Sequence, residues 1–433
     1  MDKSISIGLD IGTTTISAVV LDTIDGTLLA RKTEKSEADM PAKDPLEKIQ
    51  DAAKIIEKAK KLLRELLEAY PDTGSIGLTG QMHGIVYLDG EGKLLSPLYT
   101  WQDRQAEPFC KEMQERTGYT VSSGYGLATH YALQQKGKVP DGAAKICTIM
   151  DYLAFCLTGC LKIHSTNAAS LGFFSGEGFD ASALKKLGIS PEILPQVTDR
   201  CETVGYYRGI PVTMAIGDNQ ASFLGSVADP EAMALANFGT GSQISVMTGS
   251  PVADGVEQRP YLEGTYLACG SALCGGRAYA LMEKFLRDIT GGDEQYPLLN
   301  ELARKGMEME DLPVVIPTFC GTRQDPTARG SIGNLSEENF TPAALAAGLL
   351  LGMAGELQEM FRKMPGERVG TLVASGNGVR KNPALVRALE RVFGMRVLIP
   401  AHQEEAAFGA ALFAAAAKNV PITTLQKRCI RYQ

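Results

Sequence analysis

The chain has 433 residues, 44% hydrophobic and 21% charged, which is more apolar side chain than one core holds, so two or three domains are expected. A formal net charge of −7 argues against a nucleic-acid surface, which needs clustered Lys and Arg. No run approaches eighteen uncharged apolar residues, and Met1-Asp2-Lys3 leads into a strand without an apolar leader, so neither a membrane span nor a signal peptide is expected. The nine cysteines are scattered, without a Cys-x-x-Cys pair, and read as reduced thiols of a cytoplasmic protein. Cys269 and Cys274, the one tempting pair in a Gly-rich stretch, read as small packing residues rather than a metal site.

Alternation at Ile5, Ile7 and Leu9 marks a first strand, closed by Asp10-Ile11-Gly12-Thr13. Ile16 to Val20 marks a second, and with Asp25-Gly26 as a turn, residues 3–34 read as a three-stranded meander. A long helix is expected next, capped by Asp44, with Pro45 in its first turn and Glu47 completing a capping box. Its stripe is Ile49, Ala53, Ile56, Leu63, Leu67 and Tyr70, broken at Lys60, and Pro71 ends it. The mixed charges from Lys54 to Glu68 are its solvated face.

A strand from Ser75 to Thr79 then runs out into Gly80-Gln81-Met82-His83-Gly84. A small hairpin turning at Asp89-Gly90 separates that loop from Trp101-Gln102-Asp103-Arg104. The strand Val212 to Ile216 ends in Gly217-Asp218-Asn219-Gln220, and Asp229-Pro230 reads as the turn between two lobes, 1–229 and 230–433.

The second half repeats the grammar of the first. Met233 and Leu235 lie on a strand closed by Asn237-Phe238-Gly239-Thr240, followed by the strand Ile244-Ser245-Val246. After it come a Gly-rich segment at 270–276, a helix near 279–289, a loop over 317–333 and an apolar helix over 342–363. A short strand, Leu372 to Ala374, ends in Ser375-Gly376-Asn377-Gly378. A helix over 383–393, a strand over 397–399 and an Ala-rich helix over 404–417 complete the chain. The pattern is α/β, with helices covering mixed sheets, and each motif stands at the carboxyl end of a strand, so all could face one cleft between the lobes.

Each Gly-Thr turn offers consecutive backbone N–H groups, which make a concave anion site. Asp10 with Gly12, Thr13, Thr14 and Thr15 suits terminal phosphate oxygens, and a carboxylate at the strand end suits hydrated Mg²⁺. An ordinary tight turn explains one such motif as well, but not its echo at Gly239, Thr240, Gly241 and Ser242. Asn237 in place of Asp fits a single anionic metal site, since a second carboxylate would repel phosphate. Asp218 is placed to accept a proton from a substrate hydroxyl, the plain alternative being a helix cap. Gln81, Met82, His83, Trp101, Asp103 and Arg104 combine amide, imidazole, indole, carboxylate and guanidinium groups of the kind that bind sugars, against packing as the plain alternative. Gly376, Asn377 and Asn382 could line an adenosine pocket or simply turn the chain.

Taken in order, these segments, with Pro317–Gly330 (Pro-Thr-Phe-Cys-Gly-Thr-Arg, then Ala-Arg-Gly), resemble the FGGY carbohydrate kinases along nearly the whole chain. The resemblance implies a two-lobed α/β fold of the actin/hexokinase (ribonuclease H-like) ATPase type with a central cleft. It implies Asp218 as catalytic base, Asp10 serving Mg²⁺ and phosphates, the two hairpins holding the nucleotide tail, and Gly376, Asn377 and Asn382 holding the adenosine of ATP. Gln81, Met82, His83, Trp101 and Asp103 would then hold the sugar, with Asn219 and Gln220 of the Asp218 loop beside them. Thr100–Asp103, Tyr125–Thr129 and His164–Phe173 resemble the sedoheptulokinase branch, as does Gly-Asp-x-Gln-Ala-Ser at 217–222. The Asn167–Phe173 stretch, with the two sugar segments, favours a seven-carbon ketose. A xylulokinase or another ketose or polyol kinase is the near rival, and an actin-like ATPase without sugar kinase activity is the rival from another class. The chain is short for the family, and a homodimer is expected only by analogy.

Overall fold

The computed structural model describes residues 4–176, 178–249, 252, 256–322, 325, 327–365 and 368–433. Arg323 of the Pro317–Gly330 motif and Met1-Asp2-Lys3 lie outside the described residues. Two compact units result: 1–228 with 260–265 and 402–430, and 229–259 with 266–401 and 431–433.

In the first unit, Ile5–Ile11 (β1), Thr15–Asp22 (β2) and Leu28–Lys35 (β3) form the antiparallel meander that the alternation predicts, with Ile7 opposite Val20 and Leu9 opposite Ala18. At its second turn Gly26 has φ 81°, and Asp25 Oδ1 accepts from Thr27 N at 2.8 Å. The next helix, α1, spans Ala52–Ala69 and does not start at Asp44. Its cap is Asp51, whose side chain accepts from Lys54 N, while Asp44 closes a local turn onto Leu46 N at 3.0 Å. The reason is tertiary. Ile49–Gln50 is drawn into a short ladder with Leu98–Tyr99, and Lys48 O accepts from Thr100 N, so the single turn at 44–47 runs into a strand instead of continuing as a helix. The buried stripe runs through Lys60's level unbroken, as Ile55, Ile56, Ala59, Leu62, Leu63, Leu66 and Leu67.

Thr73–Gly80 (β4) runs parallel to β1, placing Leu78 beside Leu9 and Thr79 beside Asp10. The helices Ile149–Thr158 (α2) and Ser165–Leu171 (α3) precede Thr203–Tyr207 (β5) and Ile210–Gly217 (β6), and Asp218–Ser226 (α4) follows. The sheet order is β5-β6-β4-β1-β2-β3. A second core in this unit joins Ile85, Tyr87, Leu127, Tyr131, Ile163 and Leu171 around the helix Gly126–Gln135.

The second unit repeats this plan. Met233–Phe238 (β7), Ser242–Thr248 (β8), Glu257–Pro260 (β9) and Tyr266–Ala272 (β10) are followed by the helices Gly276–Thr290 (α5) and Pro342–Phe361 (α6). Thr371–Ser375 (β11), the helix Pro383–Phe393 (α7) and Arg396–Leu398 (β12) complete a sheet ordered β9-β10-β8-β7-β11-β12. In both sheets the hairpin's first strand pairs antiparallel with its second and parallel with a later strand, β1 with β4 and β7 with β11. Asn237 stands beside Ser375 as Asp10 stands beside Thr79.

The chain's end does not stay with the lobe expected to run over 230–433. The Ala-rich helix Glu405–Ala416 (α8) packs on β1, β4 and α4 of the first unit. Glycines leave it room: a Cβ on Gly8 or Gly77 would stand 1.9 Å from the carbonyl oxygens of Ala407 and Ala410, and one on Gly409 1.9 Å from Ala221 O. Backbone lies directly on backbone here, which only residues without bulk permit. Ser6 Oγ donates to Ala411 O at 2.7 Å in the same contact. Among the described residues no helix is long and apolar enough to cross a membrane.

Candidate active site

The first hairpin is braced from below by a polar network. Thr13 O accepts from Gln50 Nε2 at 2.8 Å and Ser36 Oγ at 3.0 Å; Gln50 also donates to Asp39 Oδ1 at 2.9 Å and accepts from Gln81 Nε2 at 3.0 Å. Thr13 Oγ1 accepts from Trp101 Nε1 at 2.9 Å and donates to Gln81 Oε1 at 3.4 Å. Thr13, Gln81 and Trp101, three separate sequence candidates, thus meet through their side chains. Gln81 is nearly fully buried, whereas Trp101 keeps 46% of its surface exposed.

Asp10 Oδ1 is buried and has no hydrogen-bond partner among the described residues. Burial first, then the carboxylates of Asp218 and Glu404, push its carboxyl up to about 8. A buried acid oxygen without a donor, in the field of two more carboxylates, is what a divalent cation would relieve, so Asp10 fits as the one carboxylate of a largely hydrated Mg²⁺; among the described residues no three acid, His or Cys side chains gather as a metal cage. The second unit answers with a neutral amide in register: Asn237 Nδ2 donates to Ser375 Oγ at 3.1 Å. In the first unit Thr79 Oγ1 is turned elsewhere, donating to Ile216 O at 2.7 Å.

Asp218 is the first residue of α4, and the cap position belongs to Gly217, so the plain cap explanation of Asp218 does not hold. Asn219 Nδ2 donates to Asp218 Oδ1 at 3.1 Å. Met82 packs on the same loop: a Cβ on Gly217 would meet Met82 Sδ at 2.7 Å. His83 follows in left-handed backbone, φ 70°, a strained state for a non-glycine residue that surrounding contacts must hold. Its N–H donates to Ser170 Oγ at 3.1 Å, its Nδ1 to Ser170 O at 2.7 Å, and its ring stacks on Tyr125 with centroids 5.0 Å apart.

Three further candidates bond to neighbouring protein groups. Asp103 is fully buried, accepting from Lys48 N at 3.0 Å, Gln105 N at 3.0 Å and Gln105 Nε2 at 3.1 Å, so it ties its own loop together. Gln220 is fully buried and donates to Pro260 O at 2.9 Å. Arg104 pairs with Glu107 at 2.7 Å on the surface. The Asn167–Phe173 stretch is likewise internal, with Asn167 and Leu171 fully buried.

In the second unit the hairpin is clamped from its backbone. Gly276 N donates to Gly239 O at 2.9 Å and Arg277 N to Thr240 O at 3.0 Å, while Gly239 and Thr240 stay exposed. Ser242 is buried at the start of β8. Gly376 has φ 94°, and a Cβ there would meet Phe238 O at 2.5 Å, so packing against β7 demands glycine whatever else the turn does. Asn377 is exposed, and Asn382 caps α7, accepting from Ala384 N at 3.1 Å. None of the three borders the 880 Å³ cavity of this unit, which is lined by Ser271, Pro317, Thr318, Gly352, Glu356 and Met360. Cys274 is near Cys320 rather than Cys269, with Sγ atoms 3.6 Å apart, and Arg277 beside Cys320 draws that thiol below its ordinary range.

Sequence reasoning missed Gln50 and Glu404, and named Ser170 only within the 164–173 stretch. Gln50 carries no motif; Glu404, in left-handed backbone at φ 62°, reads as an ordinary helix start.

Two repeated sheets, each carrying a Gly-Thr hairpin at a strand end, one with an acid and one with an amide beside it, define a two-unit α/β phosphotransferase. The chain belongs to the FGGY family of carbohydrate kinases: residues 5–225 match the family's N-terminal domain and 234–418 its C-terminal domain. It is an ATP-dependent sugar kinase. It is 26% identical to the sedoheptulokinase of Mus musculus over 471 residues, covering 95% of this chain and 97% of the mouse protein. Its fold is similar to that of a xylulose kinase from Rhodospirillum rubrum, with TM-score 0.86, 24% identity and coverage of 99% and 93% of the two chains. A Plasmodium falciparum glycerol kinase with ADP has TM-score 0.85 at 21% identity, over 99% of this chain and 93% of that one.

Proposed function

We propose that this kinase transfers the γ-phosphoryl group of MgATP to the terminal primary hydroxyl of a ketose, converting sedoheptulose to sedoheptulose 7-phosphate. The observation that carries the sugar is the match to mouse sedoheptulokinase over 95% of this chain and 97% of that one. A glycerol kinase from Alteromonas mediterranea, at 25% identity, is matched over 83% of this chain and 79% of its own. Xylulose is the second reading, favoured by the likeness in fold to the Rhodospirillum enzyme.

In this reading Asp218, partly exposed at the start of α4, takes the proton of the attacking hydroxyl, and Asn219 fixes the orientation of its carboxylate. Gln81, Met82, His83 and Trp101 form the sugar side. Indole over C–H groups and imidazole toward hydroxyls supply the contacts, while Asp103 and Gln220 support the loops from within. The Gly12–Thr15 and Gly239–Ser242 turns present N–H and hydroxyl groups to phosphate oxygens. Asp10 would hold Mg²⁺, which when bound neutralises charge on the transferred group. Gly376 and Asn377 remain the adenosine side by resemblance alone. The free nucleotide pool that such a kinase draws on and its nine free cysteines support a cytoplasmic enzyme. A homodimer stays an analogy.

The test is ADP release with MgATP across sedoheptulose, D-xylulose, D-ribulose, glycerol, gluconate and a no-sugar blank. Selective turnover of sedoheptulose is expected. Selectivity for another sugar overturns the substrate and keeps the chemistry, and a rate equal to the blank throughout overturns the reading.

A further inference from the structure

Helix α3 is seven residues long, and its side chains reach both loops of the site. Thr166 Oγ1 accepts from Gly217 N at 3.1 Å, one residue before Asp218. Asn167 Nδ2 donates to Ala215 O at 3.1 Å, two residues further back on β6. One turn later Ser170 accepts from His83 N through Oγ at 3.1 Å and, through its carbonyl, from His83 Nδ1 at 2.7 Å. Ser170 Oγ in turn donates to Asn167 O at 2.7 Å, so its lone pair is turned toward His83.

The helix is itself fixed. Thr166 and Asn167 are fully buried. His164 Nδ1 meets Thr166 Oγ1 at 3.0 Å and accepts from Thr166 N at 3.3 Å, so the ring orients the hydroxyl whose oxygen receives Gly217 N–H. Asn167 Nδ2 lies 3.4 Å from Asp151 Oδ1, and Asp151 Oδ2 accepts from Thr148 Oγ1 at 2.6 Å, so α2 backs α3. None of these groups is exposed enough to bind a sugar; they end on the backbone that leads into Asp218, at Ala215 and Gly217, and on the backbone and ring of the partly exposed His83.

We propose that α3 is the positioning element of this site, with Thr166 setting the backbone that aims Asp218 and Ser170 holding His83 in its left-handed conformation. The inference rests on Asp218 as base and His83 as a sugar contact. It assigns two separable tasks to two residues four positions apart, which lie on one face of the helix. Thr166 acts on the bond-making geometry, where a misplacement of a fraction of an ångström lowers turnover. Ser170 acts on the sugar's binding loop, where loss of the anchor lets His83 leave a strained conformation. It also accounts for a stretch that resembles the sedoheptulokinase branch yet is buried: its part in selectivity is to set the spacing of the loops that touch substrate.

The experiment compares Thr166→Val, Thr166→Ser, Ser170→Ala and Asp218→Asn in the full chain by steady-state kinetics, with the melting temperature of each recorded. Thr166→Val keeps the shape and removes the acceptor; kcat is expected to fall about tenfold with the sugar and ATP KM values within about twofold, and Thr166→Ser to recover most of it. Ser170→Ala is expected to raise the sugar KM about tenfold, leaving the ATP KM unchanged and kcat the lesser effect. Equal kinetics for Val and Ser at position 166, or parallel changes of kcat and KM in all variants that track the melting temperature, would overturn the positioning role. Asp218→Asn separates the two levels. If it keeps turnover, the base assignment fails whatever position 166 does; if it loses turnover while Thr166→Val is unaffected, only the positioning inference fails. Should Thr166→Val not fold, Thr166→Ala takes its place: wild-type constants in it overturn the role of Thr166, and wild-type constants in Ser170→Ala overturn that of Ser170.

Discussion

Asp10→Asn should make the protein more stable and nearly inactive, and the gain should depend on pH. Asp10 holds its proton up to about pH 8 because burial and the Asp218 and Glu404 carboxylates disfavour the charged form. In the unfolded chain the same group ionises near pH 4. A native value above the unfolded one means that the native state binds the extra proton. Stability is therefore complete below pH 4, falls as pH rises, and levels off above pH 8. At about 1.4 kcal/mol per pH unit, the interval from pH 4 to pH 7 corresponds to roughly 4 kcal/mol. The residue as a whole keeps some solvent contact although its Oδ1 has none, and screening brings the expected figure to about 2 kcal/mol. Asn has nearly the shape of the protonated acid and no charge to bury, and the protein already uses it at the matching position 237. Thermal melts in EDTA should put the variant roughly 4–8 °C above wild type at pH 8 and level with it at pH 4, while sugar-dependent ADP release falls by orders of magnitude. A variant that melts at or below wild type at pH 8, or a gap that does not close toward pH 4, refutes the reasoning.

The same carboxyl should report cation binding: at pH 7, titration with MgADP should release about one proton, read by calorimetry in buffers of different ionisation enthalpy, and about none at pH 9.5. Proton uptake, or release that does not fade with pH, would count against Asp10 as the metal carboxylate. Gly77→Ala places a Cβ 1.9 Å from Ala410 O, a backbone atom that cannot turn aside, so denaturant melts should show a loss of about 3 kcal/mol. A loss under about 0.5 kcal/mol would show that α8 shifts freely. Asp103→Asn removes one acceptor from a buried carboxylate with three internal donors, and stability should fall by about 1–3 kcal/mol with the sugar KM little changed. A sugar KM raised a hundredfold at unchanged stability would return Asp103 to the sugar.

Much of this fold is written locally. The period-two runs at Ile5–Leu9 and Met233–Leu235, each stopped by a Gly-Thr turn, specify two hairpins because alternate side chains must share a face. The Asn382-Pro383 start and Gly394 stop delimit α7 because a cap, an N1 proline and a left-handed glycine each satisfy the backbone at a helix end. The residues Thr13, Gln81 and Trp101 were legible as candidates, because few unrelated needs put those groups at strand ends.

What tertiary structure decided are the effects whose partner lies far along the chain. Whether Asp44 or Asp51 starts α1 depends on Leu98–Tyr99 pairing with Ile49–Gln50. Whether an Ala-rich helix closes the second unit or the first depends on glycines at 8, 77 and 225, nearly 180 to 400 residues away, that let backbone approach backbone. Asp103 and Gln220 look like ligands in sequence, since carboxylate and amide serve a sugar and a buried backbone equally well; only the fold shows Asp103 accepting from Lys48 and Gln105 and Gln220 donating to Pro260 O. The composition of a motif fixes what chemistry a residue can do, and long-range packing fixes which atom it is pointed at.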